Sequence, residues 1–384
     1  MDDRPLKIFI TDPHLKGGGQ VRYVTKLARE LGRLGHHVTI GCKRGSILEQ
    51  GAVEAGCDAH ASFHYKGGLR PRVWVEDIRT LQAFVREQAP DIFHANGSQD
   101  HWINGLANRL HSRKTCVVRT RHNTDPVKEH RLNRWLNRDW TDWQIAVCDA
   151  VREIRIQQPV FDSDRMETIH NGVDVKDFSA DAEARQRVRT EFGYTSDHVV
   201  VGIAARLNIA KGHSYLFEAV QTLRDAHPEL RVLILGQGEL ETELRADVQD
   251  RGLDDIAHFA GFRSDIGDCI QAFDVGALPS IATEASSFSL MEQMATSIPM
   301  IVSDHGGSKE ICRDGKEGFV VPQGQAGPIA TALKKLLSDE SLRKQYGANA
   351  RDRVATEFTL ALLAQRTIEA YGRALDIHQQ RQGR

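Results

Sequence analysis

Residues 274–302 read DVGALPSIATEASSFSLMEQMATSIPMIV. The apolar run from Asp274 to Leu278 predicts a strand, and the run from Pro299 to Val302 predicts a second. Between them a serine-rich loop leads into helix-forming sequence. A strand–loop–helix–strand unit is where open α/β sheets place ligands, beyond the carboxyl ends of their strands. The backbone amides of Ser287, Phe288 and Ser289 open the helix, with Leu290 behind them, and offer a site for a phosphate. Glu292 falls inside the helix and Glu284 just outside its start. Eight residues of pure helix span about 12 Å. On spacing alone, two acids near a helix N-terminus also suit the helix dipole.

The same rhythm extends in both directions. In the first half, strands are predicted at Lys7 to Thr11, His37 to Gly41, Asp91 to His94, Thr115 to Arg119 and Gln144 to Val147. Helices are predicted at Val21 to Leu34, Val73 to Gln88 and Gln99 to Leu110. The turn signal Asn171-Gly172 and the polar stretch from Asp177 to Asp197 mark a linker. The second half restarts at Val199 to Ala204, with strands at Arg231 to Leu235 and Ile256 to Phe259 before the stretch quoted above. Its end is helical from Ala326 to about Asp376, broken near Glu357-Phe358-Thr359. This βαβα alternation predicts parallel sheets with helices on both faces. The fold class is therefore α/β, with two Rossmann-like domains facing across a cleft, residues 1–172 and 173–384.

Bulk composition agrees. A chain of 384 residues exceeds one ordinary core. With 40% apolar and 27% charged residues it reads as globular, and a net charge of −2 argues against general nucleic-acid binding. The six cysteines are scattered without a C-x-x-C and read as reduced thiols filling cores. The charged start Met1-Asp2-Asp3-Arg4-Pro5 does not read as a signal peptide, and no apolar run approaches a membrane span. The expected compartment is the cytoplasm, with room for peripheral contact at the inner membrane face.

Other candidates lie at predicted strand ends. Gly17-Gly18-Gly19 follows the first strand, where glycine lets backbone approach a phosphate or sugar, or simply turns the chain. Neither G-x-G-x-x-G nor G-x-x-x-x-G-K-[ST] occurs, which weakens an NAD oxidoreductase or P-loop reading. Arg206 and Lys211-Gly212 follow the strand at Val199 to Ala204. Two cations there suit a diphosphate and would stabilise a departing nucleoside diphosphate. Gly236-Gln237-Gly238-Glu239 contacts a nucleotide or turns the chain. Glu310, after Gly306-Gly307, accepts from ligand hydroxyls or caps its own helix. His122 and Asn123 follow the strand at Thr115 to Arg119 and suit a substrate contact, although most of the 17 histidines must be structural. Asp162-Ser163-Asp164 reads as loop and cap chemistry, not a metal site.

Residues 101–138 carry nine Lys/Arg (Arg109, Arg113, Lys114, Arg119, Arg121, Lys128, Arg131, Arg134, Arg138) against Asp125 and Glu129. Leu132, Trp135, Leu136 and Trp140 interleave at near-helical spacing. A basic helix with tryptophans suits an anionic membrane surface or an acidic acceptor. It also suits an ordinary packed helix with solvated arginines.

In sequence order these residues resemble the retaining nucleotide-sugar glycosyltransferases of glycosyltransferase family 4, with the GT-B fold. The resemblance runs through the glycine loop, His122, Ile169-His170-Asn171-Gly172-Val173-Asp174, Arg206, Lys211-Gly212 and Gly236-x-Gly238. It continues through Gly261-Phe262, Pro279-Ser280, Glu284-x7-Glu292, Gly306-Gly307-x-x-Glu310 and Asp314-Gly315-x-x-Gly318. It implies that Glu292 binds the donor ribose, Glu284 the transferred sugar, and Arg206 and Lys211 the diphosphate. Gly18, Gly19, Gly236 and residues Ser287 to Leu290 join the donor site, while Gly17, His122 and Asn123 take the acceptor side. Glu284, His122, Arg206 and Lys211 carry the chemistry. No metal or other cofactor is implied, and the last helix, about 360–384, crosses back to the first domain.

Two positions depart from the family pattern. Glu284-Ala285-Ser286-Ser287-Phe288-Ser289 replaces the common Glu-Gly-Phe-Gly, and Ser297 replaces a usual glycine. Serines there keep the amides and add hydroxyls near the phosphates. The expected activity is transfer of a hexose, N-acetylhexosamine or heptose to a glycan or lipid-linked acceptor in bacterial surface polysaccharide or lipopolysaccharide synthesis. A sugar-nucleotide 2-epimerase and a catalytically silent nucleotide-sugar binder are the alternatives.

Overall fold

Short apolar runs become parallel strands because both of their faces are covered by helices. The computed structural model describes residues 4–68, 70–111, 114–282 and 284–383. Met1-Asp2-Asp3, Arg113 and Thr283 lie outside them. The chain divides into one unit running to Asn171 and resuming at Leu360, and a second unit, Gly172–Thr359.

The first unit holds strands β1 (Lys7–Thr11), β2 (His37–Lys43), β3 (Asp58–Phe63), β4 (Ile92–Ala95), β5 (Cys116–Arg121), β6 (Trp143–Ala146) and β7 (Met166–Thr168). They form a seven-stranded sheet in the order β3-β2-β1-β4-β5-β6-β7. Every pairing is parallel. Phe9 anchors one face, its ring 4.3 Å from that of Phe84. The order reverses between β1 and β4, which opens a crevice at their carboxyl ends.

The second unit holds β8 (Val199–Ala204), β9 (Leu230–Leu235), β10 (Ala257–Gly261), β11 (Val275–Leu278), β12 (Met300–Ser303) and β13 (Gly318–Val321). Their order is β10-β9-β8-β11-β12-β13, again wholly parallel. The reversal here lies between β8 and β11.

Three strands, β3, β7 and β13, and the helix Ile47–Glu54 escape the sequence reading because they are short or polar. The polar stretch after Asp177 also contains a helix, Ala182–Glu191, where only a linker is expected. Asp181 caps it through the Glu183 and Ala184 amides, and Arg185 and Arg189 pair with Asp274 at 2.5 and 3.0 Å. Distant charge joins the buried Ala184 and Val188 in holding that helix down.

The last helix, Leu360–Gln382, belongs to the first unit. His94 Nδ1 lies 2.7 Å from the Tyr371 hydroxyl, and Arg373 pairs with Glu167 at 2.6 Å. His378 and Arg381 both reach Asp142 at 2.9 Å. All six cysteines are free, five of them buried. Among the described residues, no helix is long and apolar enough to cross a membrane.

Candidate functional site

Two loops meet at the reversal in the second unit. Lys211 follows β8, and Gly212 ends its turn with φ +70°. A Cβ on Gly212 would stand 2.1 Å from the Pro279 carbonyl oxygen, so only glycine lets this turn lie on the loop after β11. That loop carries Glu284. Lys211 Nζ sits 2.6 Å from Glu284 Oε2, with Glu284 nearly buried, and the Ser280 hydroxyl donates to the same oxygen at 2.8 Å. A third loop locks Glu284 from behind. The Gly307 amide donates to the Glu284 carbonyl at 3.2 Å, and a Cβ on Gly306 would stand 1.6 Å from that carbonyl oxygen.

The helix after Glu284 spans Phe288–Ala295, with Ser287 as its cap. Glu292 is buried inside it, at 2% exposure. Of the serine hydroxyls expected near the phosphates, those of Ser287 and Ser289 make bonds within the fold. Ser287 Oγ accepts from the Leu290 amide at 3.3 Å, and Ser289 Oγ donates to the Ala204 carbonyl at 2.5 Å. The second bond ties the helix to the end of β8. Ser297, where the family usually has glycine, has φ +63°. The backbone requirement of that position persists although the residue has changed.

Arg206 is exposed and pairs with Glu239 at 3.1 Å. Gly236 packs on the Ala205 carbonyl, which accounts for glycine there without a ligand. Sequence reasoning passes over His213. It is buried beside Lys211, and neither ring nitrogen has a hydrogen-bond partner. Burial and the Lys211 charge push its pKa down to about 4. Its adjacency to Lys211-Gly212 is the signal that could have found it.

In the first unit, the reversal between β1 and β4 opens a cavity of about 500 Å³. His122 and Asn123 line it directly after β5. His122 Nε2 lies 2.9 Å from Asn96 Oδ1, and its ring meets Tyr23 edge-on. Burial and then Arg119 hold His122 well below the usual histidine range, so it is a neutral hydrogen-bonding group. Asn123 is anchored by Arg155, whose Nη2 donates to its carbonyl at 2.9 Å. Gly18 precedes and Gly19 starts the helix Gly19–Arg33, and the space around Gly18 is open. A Cβ on Gly17 would lie 3.2 Å from Ile47.

The basic segment is not one helix: it runs through the end of the helix Ser98–Leu110 and through β5. Around Leu132 and Trp135 it forms a short helical stretch, an α-turn, Arg131–Arg134, continued by a π-helical turn, Trp135–Asp139. Leu136 and Asn137 are buried, Asn137 accepting from Arg121. Arg119 and Arg121 are buried in the cavity wall, and Lys114 caps a helix end through the Asn108, Arg109 and His111 carbonyls. Leu132 and Trp135 remain exposed near Arg131 and Arg134. Asp162 accepts from the Asp164 amide and pairs with Arg165 at 3.0 Å, the cap chemistry read from its sequence.

Residues 17–177 match the family model Glycosyltransferase Family 4, and residues 185–353 match Glycosyl transferases group 1. The D-inositol 3-phosphate glycosyltransferase of Corynebacterium kroppenstedtii is 30% identical over 93% of this chain and 86% of its own. The UDP-Gal:alpha-D-GlcNAc-diphosphoundecaprenol alpha-1,3-galactosyltransferase of Escherichia coli is 25% identical over 74% of this chain and 76% of its own. The Anabaena protein HepE, solved with UDP-glucose, has the same fold, with a TM-score of 0.82 at 21% identity over 96% of this chain and 99% of that one. The chain belongs to glycosyltransferase family 4 and is a glycosyltransferase of the GT-B fold.

Proposed function

We propose that this glycosyltransferase moves a sugar from a nucleoside-diphosphate sugar to a hydroxyl of a glycan or lipid-linked acceptor. The anomeric configuration is retained, and the product enters bacterial surface polysaccharide or lipopolysaccharide. The observation that carries this reading is the Lys211–Glu284 contact at the reversal between β8 and β11. A cation at a strand's carboxyl end, beside a carboxylate held by three loops, suits a diphosphate next to a sugar.

In this reading the donor diphosphate takes Lys211 from Glu284, and Glu284 turns to the sugar hydroxyls. Arg206 adds a second cation at the diphosphate, and Glu292 accepts from the ribose. The bond from the anomeric carbon to the diphosphate oxygen breaks. The acceptor oxygen bonds the same face, and its proton passes to the leaving diphosphate. Neutral His122 and Asn123 position sugar or acceptor. No step needs a metal or other cofactor. The names of the relatives support the substrate classes: one acts on an inositol phosphate, one on a diphosphate-linked lipid, and HepE was solved with UDP-glucose. Peripheral contact with an anionic membrane through Leu132 and Trp135 completes the reading, placing the enzyme at the cytoplasmic face.

The test is incubation with UDP-, GDP- and ADP-sugars and a panel of lipid-diphosphate and oligosaccharide acceptors, followed by proton NMR of the product's new linkage. An α-linked product from an α-linked donor supports the reading. Inversion contradicts retention. Free nucleoside diphosphate with an epimerised sugar and no acceptor product would favour the 2-epimerase.

A further inference from the structure

Three guanidinium groups wall the first unit's cavity without a carboxylate to pair with. Arg119, Arg121 and Arg155 all line it, at 5%, 7% and 1% exposure. Among the described residues, none of the three forms an ion pair. Arg121 Nε donates to Gln144 Oε1 at 2.9 Å, and Arg155 Nη2 to Asn123 Oδ1 at 3.1 Å. Both lie over the Phe161 ring, 5.1 and 5.9 Å from its centre. Arg119 is the barest: its Nε and Nη1 have no partner, nor has Arg155 Nε.

The chain treats its structural arginines differently. Arg189, equally buried, donates to the Ala272, Thr195 and His198 carbonyls and pairs with Asp274. Arg353 donates to the Ile311 and Glu310 carbonyls and pairs with Glu357. A buried charge left unpaired is strongly unfavourable, and three such charges around one cavity compound the effect. The nearby acids relieve it only in part. Asp100 Oδ2 accepts from Thr11 Oγ1 and the Asn96 and Gly97 amides, and Asp12 is engaged by His14 and Gln20. Asp125, on the cavity rim, is exposed. Burial pulls the Arg119 pKa down to about 10 in spite of Asp100 and Asp12.

Sugar hydroxyls are uncharged and do not offset the charge of a buried guanidinium. A planar guanidinium fork suits a tetrahedral oxyanion, which it grips through paired N–H bonds. We propose that this cavity binds a phosphate or diphosphate group carried by the acceptor, held by Arg119, Arg121 and Arg155 and set beside His122. The assignment rests on the acceptor-side reading of the first unit and specifies it: the acceptor is a phosphorylated molecule, not a neutral glycan.

The test is thermal unfolding with the donor site saturated by UDP. The probes are N-acetylglucosamine, its 1-phosphate, and a short-chain prenyl-diphosphate-linked N-acetylglucosamine. The charged probes are expected to raise the midpoint by about 2 °C or more at a hundredfold their dissociation constants. The neutral sugar is expected to do nothing. Arg119→Gln and Arg155→Gln should lose the shift while keeping that of UDP, and Arg119→Lys should keep part of it. Greater response to the monoester points to a soluble sugar phosphate, and greater response to the diphosphate to a lipid carrier. Hydrogen exchange on the wild type provides a readout that does not depend on how the variants fold: the charged probes should protect residues 96–99 and 119–123. Equal shifts from the neutral sugar, shifts that survive both glutamine variants, or protection elsewhere would overturn the proposal. A UDP shift without a phosphate shift removes this site and leaves the donor reading standing. A phosphate shift without a shift from UDP, GDP, ADP or CDP does the reverse.

Discussion

Lys211 and Glu284, 73 residues apart in sequence, meet at 2.6 Å because glycines at 212 and 306 let three loops stack backbone on backbone. Removing one member of a largely buried pair strands the other's charge. Lys211→Met or Glu284→Gln is therefore expected to destabilise the second unit by about 3 kcal/mol, and the double variant by less than the sum. In the proposed reading Lys211 also stabilises the leaving diphosphate, so turnover should fall further than stability explains, by roughly 10² to 10³ in kcat. Urea unfolding alongside kcat on a working donor checks both. A wild-type kcat in Lys211→Met would remove the lysine from the chemistry.

Stability of the first unit should fall in acid. Burial pushes His94 down to about 3, and His101 and His122 well below the ordinary histidine range. Below about pH 6.5 the unfolded chain takes up protons at these sites and the folded one does not. Their contribution is complete above that pH and is lost as pH falls, by up to about 1.4 kcal/mol per unit for each group. Asp100 opposes them. Burial raises it to about 6, so the folded unit gains a proton there first. His36 and His60, also lowered by burial, add to the loss, while His14, raised by Asp12, and Asp77, raised by burial, oppose it. The lowered histidines outnumber the raised groups and leave a net loss between pH 6.5 and 5. All five tryptophans (Trp74, Trp102, Trp135, Trp140, Trp143) lie in this unit, so tryptophan fluorescence in urea reads it directly. His94→Gln should start lower at pH 7, losing its bonds to Tyr371 and Thr120, and fall less steeply in acid.

Ser297 holds a left-handed backbone, φ +63°, that favours glycine. Gly347 packs on its carbonyl and leaves it little room to relax. Ser297→Gly is expected to stabilise by up to about 1 kcal/mol, the strain relieved exceeding the entropy glycine adds to the unfolded chain. A denaturant midpoint at or below wild type would show that the strain is absorbed elsewhere.

Leu132 and Trp135 are exposed at 52% and 46% among cationic neighbours. Wild type should be retained on anionic liposomes at low salt, and Trp135→Ser much less so. Equal retention of the two would remove this patch from any membrane role.

Much of the fold is legible in the chain. β1 and β8 fall where their apolar runs predict, because a buried parallel strand needs an unbroken run of such residues. β3, with sequence DAHASF, hides because its side chains are small or polar and mostly short of burial. The helix Ala182–Glu191 hides because Asp274 anchors it from 85 to 89 residues away. The candidate site divides in the same way. Lys211 and Glu284 are each readable at a strand end, but their contact depends on loop stacking that spacing does not encode. Arg119 and Arg121 read as part of a cationic surface and turn inward instead, because β5 is buried along its whole length. Arg155 carries no sequence signal at all. Only its position beneath Asn123 places it at the cavity.

In the proposed reading the second unit binds a nucleoside diphosphate through Lys211 and Glu292. Thermal unfolding of wild type and Glu292→Gln with UDP, GDP, ADP and CDP, then with the intact sugar nucleotides, tests it most directly. One nucleotide at a hundredfold its dissociation constant should stabilise wild type by about 2.7 kcal/mol, and Glu292→Gln should lose most of that gain. No shift with any nucleotide or sugar nucleotide, or an equal shift in the variant, would contradict the account.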